Sequence, residues 1–157
     1  ELSCFKAYDV RGEIGVNIDA DIAYRIGRAV SQHFAAKSVI IGHDARETSP
    51  SFSAAVINGV KDAGSNAINI GLAGTEEMYW AVCEFGACAG IEVTASHNPI
   101  NYNGMKIVKS GSQPLCLEND LKAIKRLSEK DKFKSAKCAA NLSIAPLKHD
   151  LPTLREC

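Results

Sequence analysis

The chain has 157 residues, 46% hydrophobic and 23% charged, values that exclude a disordered segment and suit one domain. Its 18 basic and 18 acidic residues cancel, which argues against a dedicated nucleic-acid binder. Residues 1–109 carry 9 basic and 12 acidic groups while residues 110–157 carry 9 and 6, so the tail is mildly basic. No apolar run approaches the roughly 18 residues of a membrane span. Glu1-Leu2-Ser3-Cys4 has neither the basic nor the apolar region of a secretory signal. A sequence beginning at Glu1 rather than methionine is expected to start inside a longer chain. Cysteines 4, 83, 88, 116, 138 and 157 form no C-x-x-C pair. Reduced thiols in a cytoplasmic protein are expected, with Cys83 and Cys88 as small core residues.

Short apolar runs alternate with helical patterns, which points to an α/β fold. Residues 5–12 read as an opening strand or loop. Asp19 is placed to cap a helix over 20–35, with Ile22, Ile26, Ala29, Val30 and Phe34 on one face. Residues 38–42 form a β-branched strand. The next helix opens near Pro50 with Ser49 as its cap, carries Phe52, Val56, Val60 and Ala63 as an apolar stripe, and stops at Gly64. A strand at 67–70 follows, then a helix over 75–85 with Glu76 and Glu77 in its electropositive first turn. Strands at 91–94 and 105–109 are joined by about ten residues without a helix, too few for a parallel crossover, so they pair antiparallel. A last helix covers 118–130 with Leu121, Ile124 and Leu127 inward. Residues 141–157 read as a strand and a frayed end. The sum is a three-layer α/β/α domain with a mixed, mostly parallel sheet of about four main strands.

The polar loop from Ala95 to Gly104 directly follows a strand, where open α/β sheets place ligand sites. Ser96 has three readings: a turn serine, a hydrolase nucleophile, or a phosphoryl acceptor. The hydrolase reading lacks a G-x-S-x-G elbow, and the adjacent His97 would point its ring away. A phosphoserine needs cations and N–H donors. Lys106 lies on the following strand, and Arg11 and Arg46 end two other strand-loop segments at the same sheet edge. Three converging cations suit phosphoryl transfer better than acyl transfer.

Thr94-Ala95-Ser96-His97-Asn98-Pro99 with Asn103-Gly104-Met105-Lys106 resembles the active-site serine loop of the α-D-phosphohexomutases. Tyr8-Asp9-Val10-Arg11-Gly12 is similar to their Y-D-[IV]-R-G, and Gly42-His43-Asp44-Ala45-Arg46 to their G-R-D-x-R. Gly71-Leu72-Ala73-Gly74-Thr75-Glu76-Glu77 most resembles the bacterial phosphomannomutase form. The likeness runs from about Phe5 to Ser128 and covers the family's amino-terminal domain.

The resemblance implies that Ser96 carries a phosphate, gives it to a hexose phosphate and takes one back from a bisphosphate intermediate. It implies that Lys106 assists proton transfer and neutralises phosphate charge. A plain strand-end lysine is the bland alternative. His97 would position or protonate groups near the reacting oxygen, or merely steady the turn. Arg11 and Tyr8 would face the cleft near the phosphoserine; for Arg11, a salt bridge to Asp9 or Glu13 is the other reading. Arg46 and Asn98 would serve substrate or phosphate binding, with Asn98 and Asn103 also shaping the loop through side-chain hydrogen bonds. Position 43 is histidine where the family has arginine, a shorter and mostly neutral group.

Only the first of the family's four domains is represented. The D-G-D-G-D-R magnesium loop does not occur, so the magnesium of the full-length enzyme would meet Ser96 only through its phosphate. Tight metal binding by this chain is not expected. Residues 1–134 are read as the domain and 135–157 as a divergent tail. Two readings follow. The chain is the serine-bearing domain of a phosphomannomutase or phosphoglucomutase, not competent alone. Alternatively, it is a natural truncation that binds sugar phosphates or other partners and self-associates, since removing the second domain exposes apolar surface. Hexose phosphate and a second copy of the chain are the expected partners, with no nucleic acid and no membrane.

Overall fold

The computed structural model describes residues 1–130 and 142–145. Helix α1 (Ala20–His33) starts at the expected cap: Asp19 Oδ1 accepts the Ile22 N–H at 2.8 Å, satisfying one of the amides a helix start leaves unpaired. It ends before Ala35, which adopts a positive φ of 45°. Helix α2 (Ser49–Asp62) carries Pro50 in its first turn, and Gly64 stops it with φ 90°. Its N-cap is Thr48, not Ser49. The Ser49 hydroxyl is taken up by Asp44 at 2.5 Å, a bond that ties the helix to the strand before it. Helix α3 (Thr75–Glu84) begins after Gly74, whose N–H donates to the Glu77 carboxylate.

The strands are β1 (Val10–Glu13), β2 (Ser38–His43), β3 (Asn66–Leu72), β4 (Ala89–Val93), β5 (Tyr102–Lys109), β6 (Gln113–Pro114) and β7 (Leu142–Ile144). They form one sheet in the order β1-β5-β4-β2-β3-β7, with β6 pairing on β5. The four central-to-edge strands β4, β2, β3 and β7 run parallel, and β4 pairs β5 antiparallel as the short connection requires. Among the described residues the sheet holds the four main strands expected, β2 to β5, and three shorter ones. The shorter ones are β1, which the sequence left between strand and loop, the two-residue β6, and β7, where the sequence read a strand in the tail. The rest of that tail lies outside the described residues.

Helix α4 (Lys122–Glu129) begins later than 118 because residues 117–121 make a wider, π-type turn. Asp120 is turned inward there. Its carboxylate accepts from His33 Nε2 at 3.0 Å, Lys109 Nζ at 3.2 Å and the Cys116 N–H at 2.9 Å.

Two apolar layers flank the sheet. The larger joins Val39, Ile41, Ile91, Val93 and Met105 to Ile26, Val30, Val56, Val60 and Ile124 of α1, α2 and α4. The smaller joins Ile40, Ile70 and Val108 to Met78, Ala81 and Val82 of α3. Cys83 is exposed and Cys88 half-buried, against the core placement expected of them. Cys83 sits on the outward side of α3, 3.6 Å from the Ser112 hydroxyl, and Cys88 Sγ accepts the Lys37 N–H at 3.4 Å. Among the described residues, no helix is long and apolar enough to cross a membrane.

Candidate active site

At the carboxyl ends of β2 and β4 the ladder continues past the strands: Asp44 N–H donates to Val93 O at 2.9 Å, and Thr94 N–H to Gly104 O at 3.0 Å. Arg11 stands opposite Gly104 in the β1–β5 register. Arg11, Gly104, Thr94 and Asp44 therefore follow one another across four strands at a single edge. The approach of β1 needs Gly104, since a Cβ there would lie 2.0 Å from the Val10 carbonyl oxygen.

The loop after β4 rises from this edge. Ser96 is exposed and holds a left-handed backbone, φ 53°, uncommon for a residue other than glycine, asparagine or aspartate. That conformation is held from both sides. The Ser96 N–H donates to Thr94 Oγ1 at 3.0 Å, and the Ser96 carbonyl accepts from Arg46 Nη2 at 3.0 Å. Thr94 Oγ1 in turn donates to Asp44 Oδ2 at 2.7 Å. Burial alone would raise the Asp44 carboxyl, but bonds from Ser49, Thr94 and the Arg46 N–H, with the Arg46 charge, hold it below the usual carboxylate range.

Arg46 is the hub. Its two terminal nitrogens donate to four backbone carbonyls: Pro99 at 2.8 Å, Tyr102 at 3.1 Å, Ser96 at 3.0 Å and Asn98 at 2.6 Å. Nε lies 3.4 Å from Asp44 Oδ2. The rigid guanidinium fork suits this task, and it leaves no terminal donor for a phosphate. The expected phosphate contact at Arg46 is thus replaced by loop support. The Asn98 side chain likewise turns inward, donating to Ala95 O at 2.9 Å. Asn103, buried, reaches further than a local turn: its amide donates to Thr48 Oγ1 at 2.9 Å and Ser49 Oγ at 3.1 Å, pinning β5 to the start of α2.

The other expected site residues are less tied. His97 is exposed beside Ser96. Tyr8, 87% exposed, stands on the turn closed by the Lys6 N–H to Asp9 O bond. Arg11 is ion-paired with Asp9 at 2.6 Å, the alternative the sequence left open, while its Nε is buried without a partner among the described residues. Lys106 is half-buried on β5 opposite Glu92 of β4. Neither Lys106 nor Arg11 forms a hydrogen bond to Ser96 among the described residues. His43 Nδ1 donates to its neighbour's carbonyl, Asp44 O, at 2.9 Å. Asp44, Thr94 and Glu92 were not singled out from sequence. Asp44 and Thr94 stood in the quoted motifs without a role assigned to either, and the signal for Glu92 was a charge inside an apolar strand.

The match to known proteins decides what this edge belongs to. Residues 3–135 fit the model of phosphoglucomutase/phosphomannomutase, alpha/beta/alpha domain I. The chain belongs to that family. A phosphomannomutase of Klebsiella pneumoniae is 49% identical over 133 residues, 85% of either chain. The phosphomannomutase of Vibrio cholerae is 49% identical over 146 residues, 90% of this chain but 32% of its own length. A family protein from Burkholderia thailandensis has the same fold, with a TM-score of 0.80 at 30% identity over 93% of this chain and 33% of that one. Apart from the Klebsiella protein, this family member spans about a third of the relatives it matches. Among its described residues no three His, Cys, Asp or Glu side chains are grouped to hold a metal ion.

Proposed function

We propose that this chain is the serine-bearing first domain of a mutase that interconverts hexose 6-phosphates and hexose 1-phosphates, with mannose phosphate as the preferred sugar. The observation that carries the reading is the Ser96 loop itself. The exposed Ser96 has an unusual backbone that is fixed within the chain by Thr94 and Arg46. Such preorganisation is what phosphoryl transfer asks of a protein, since positioning and charge supply nearly all of its catalysis.

In the forward step the Ser96 phosphate passes to a sugar hydroxyl. The new P–O bond forms on the sugar, the bond to Ser96 Oγ breaks, and the hydroxyl proton leaves toward the serine side. The second step reverses this at the other sugar oxygen. Lys106 and Arg11 supply positive charge to the phosphoryl oxygens, with the unpartnered Arg11 Nε as a further donor. His97 and Tyr8 border the open side of the loop. The magnesium ligands and sugar contacts come from elsewhere in the full-length enzyme, so the 157-residue chain binds phosphate but does not turn over, and it works in the cytoplasm.

The test is a coupled mutase assay on the purified chain with mannose 6-phosphate, magnesium and a bisphosphate primer, beside titration with inorganic phosphate. No turnover, with phosphate binding lost in Lys106→Ala, supports the reading. Turnover abolished by Ser96→Ala would make the chain a minimal mutase. Absence of any phosphate binding would remove the reading altogether. A self-associating domain is the second reading, favoured by the exposed pair of Trp80 on α3 and Phe85 just past its end, whose rings meet edge to face at 6.4 Å. Sedimentation equilibrium showing only monomer would end it.

A further inference from the structure

Two carboxyls lie near the edge that carries the Ser96 loop, and their surroundings differ. Glu92 on β4 is 1% exposed, and neither oxygen has a hydrogen-bond partner among the described residues. Burial first, then repulsion from Asp44, Glu77 and Glu76, pushes it up to about 9, so it is neutral at pH 7. Asp44, just past β2, has both oxygens in use. Oδ1 accepts from Ser49 Oγ at 2.5 Å and from the Arg46 N–H at 3.0 Å. Oδ2 accepts from Thr94 Oγ1 at 2.7 Å and faces Arg46 Nε at 3.4 Å. Burial opposes its charge, but these donors and the Arg46 cation keep the carboxyl low and ionised. An ionised carboxylate beside a loop that takes an anion is unfavourable on charge alone. Its hydrogen bonds account for it. A carboxylate only accepts, so all four of its contacts can be donors; an asparagine would turn an N–H toward one of them.

We propose that Asp44 is a positioning residue of the Ser96 loop: it fixes the Thr94 hydroxyl and the Arg46 side chain, and through both it holds Ser96 in the left-handed backbone from which the serine meets phosphate. The inference rests on the phosphate reading of that loop. Thr94 Oγ1 has one proton and two lone pairs. Asp44 takes the proton, and the oxygen is left facing the Ser96 N–H as an acceptor at 3.0 Å. The second arm runs through Arg46. Held to Asp44 by its N–H and its Nε, Arg46 turns Nη2 to the Ser96 carbonyl at 3.0 Å. The peptide groups on either side of Ser96 therefore both lead back to one carboxylate. That carboxylate is anchored in turn by buried groups of α2 and β5: Ser49 Oγ donates to it and accepts from Asn103 Nδ2 at 3.1 Å, and Ser49 and Asn103 are both fully buried.

The experiment pairs calorimetric titration of the 157-residue chain with inorganic phosphate at neutral pH and amide hydrogen exchange followed by NMR. On charge alone, Asp44→Asn removes a repulsion and tightens phosphate binding; the loss of a positioning residue loosens it. Asp44→Asn is expected to weaken phosphate binding about fivefold and to speed exchange of the Ser96 amide by a similar factor, the weight of one modest hydrogen bond. Thr94→Val, close in shape but without the hydroxyl, is expected to do the same, and Thr94→Ser to restore both. The double variant Asp44→Asn with Thr94→Val should fall well short of the roughly 25-fold product that independent sites would give. Exchange in β2 and β4 as slow as in wild type shows that the sheet is intact, and Thr94→Val carries the test if Asp44→Asn fails to fold. Tighter or unchanged phosphate binding in Asp44→Asn, or a double variant that reaches the full product, overturns the proposal. A wild-type chain that binds no phosphate overturns instead the phosphate reading on which it stands, and exchange at Ser96 then still decides whether Asp44 holds the loop.

Discussion

On one face of the sheet Ile41, Ile91, Val93 and Met105 are sealed by α1, α2 and α4; on the other, Gly42, Glu92 and Lys106 share neighbouring strands on the side that α3 covers. The first face has apolar side chains in contact along its length, and each is worth what its burial contributes. Among the described residues, the second holds a buried acid without a hydrogen-bond partner and a cation without an ion pair. The contrast teaches where a small α/β domain can tolerate an unfavourable group. The packed face supplies the stability that lets the other face hold Glu92 uncompensated, a common arrangement where local rules are broken at functional sites.

The largest expected effect tests the packed face. Ile41→Ala should lower unfolding free energy in urea by about 2–5 kcal/mol, the range for truncating a buried isoleucine. Glu92→Gln, one strand away on the opposite face, should raise it at neutral pH. If the two substitutions cost alike, the contrast between the faces is wrong. The same Glu92 variant carries a pH signature. A carboxyl ordinary in the unfolded chain and raised to about 9 in the folded one leaves the folded state holding more protons between those values. Stability therefore falls as pH rises through that window, by up to about 1.4 kcal/mol per unit. Glu92→Gln should flatten the slope, read from urea midpoints at pH 5, 7 and 9.

Asp120 has the opposite sign. Burial would raise it, but the bonds from His33, the Cys116 N–H and Lys109 outweigh that and hold it low. Its contribution is present above the ordinary aspartate value and is lost as pH falls through the depressed folded one. Asp120→Asn should cost about 1–2 kcal/mol at pH 7, and the loss should shrink in acid. A loss undiminished at pH 3 would show that the carboxylate charge is not what secures α4. The smallest change in stability is expected for Arg46→Lys, about 1 kcal/mol. An ammonium cannot reach four carbonyls as the planar fork does. Phosphate affinity should nonetheless fall several-fold, because Ser96 loses its backbone restraint; an unchanged affinity would separate Arg46 from the site.

The helices were legible because their signals are local. Asp19 before an apolar stripe, Pro50 in a first turn and Gly64 after the last one are each read within a few residues. The serine loop was legible as a motif, and its position after β4 followed from strand order. What escaped was the use of each side chain. Arg46 and Asn98 have the composition of anion ligands, yet their donors go to loop carbonyls, a fact of three-dimensional closure rather than of pattern. Glu92 escaped because alternation along a buried strand marks which face a residue takes, not what lies above it.

The bonds from Arg46 to the carbonyls of Ser96, Asn98, Pro99 and Tyr102 span 50 to 56 residues of sequence. The bonds within the loop, such as Asn98 Nδ2 to Ala95 O, do not by themselves draw these four carbonyls to one point. During synthesis, β2 and α2 leave the ribosome well before residue 102, and until then the guanidinium has nothing to gather. The serine loop is therefore expected to acquire its shape late, after the parallel strands have found their order, because distant contacts form only once the intervening chain has been closed.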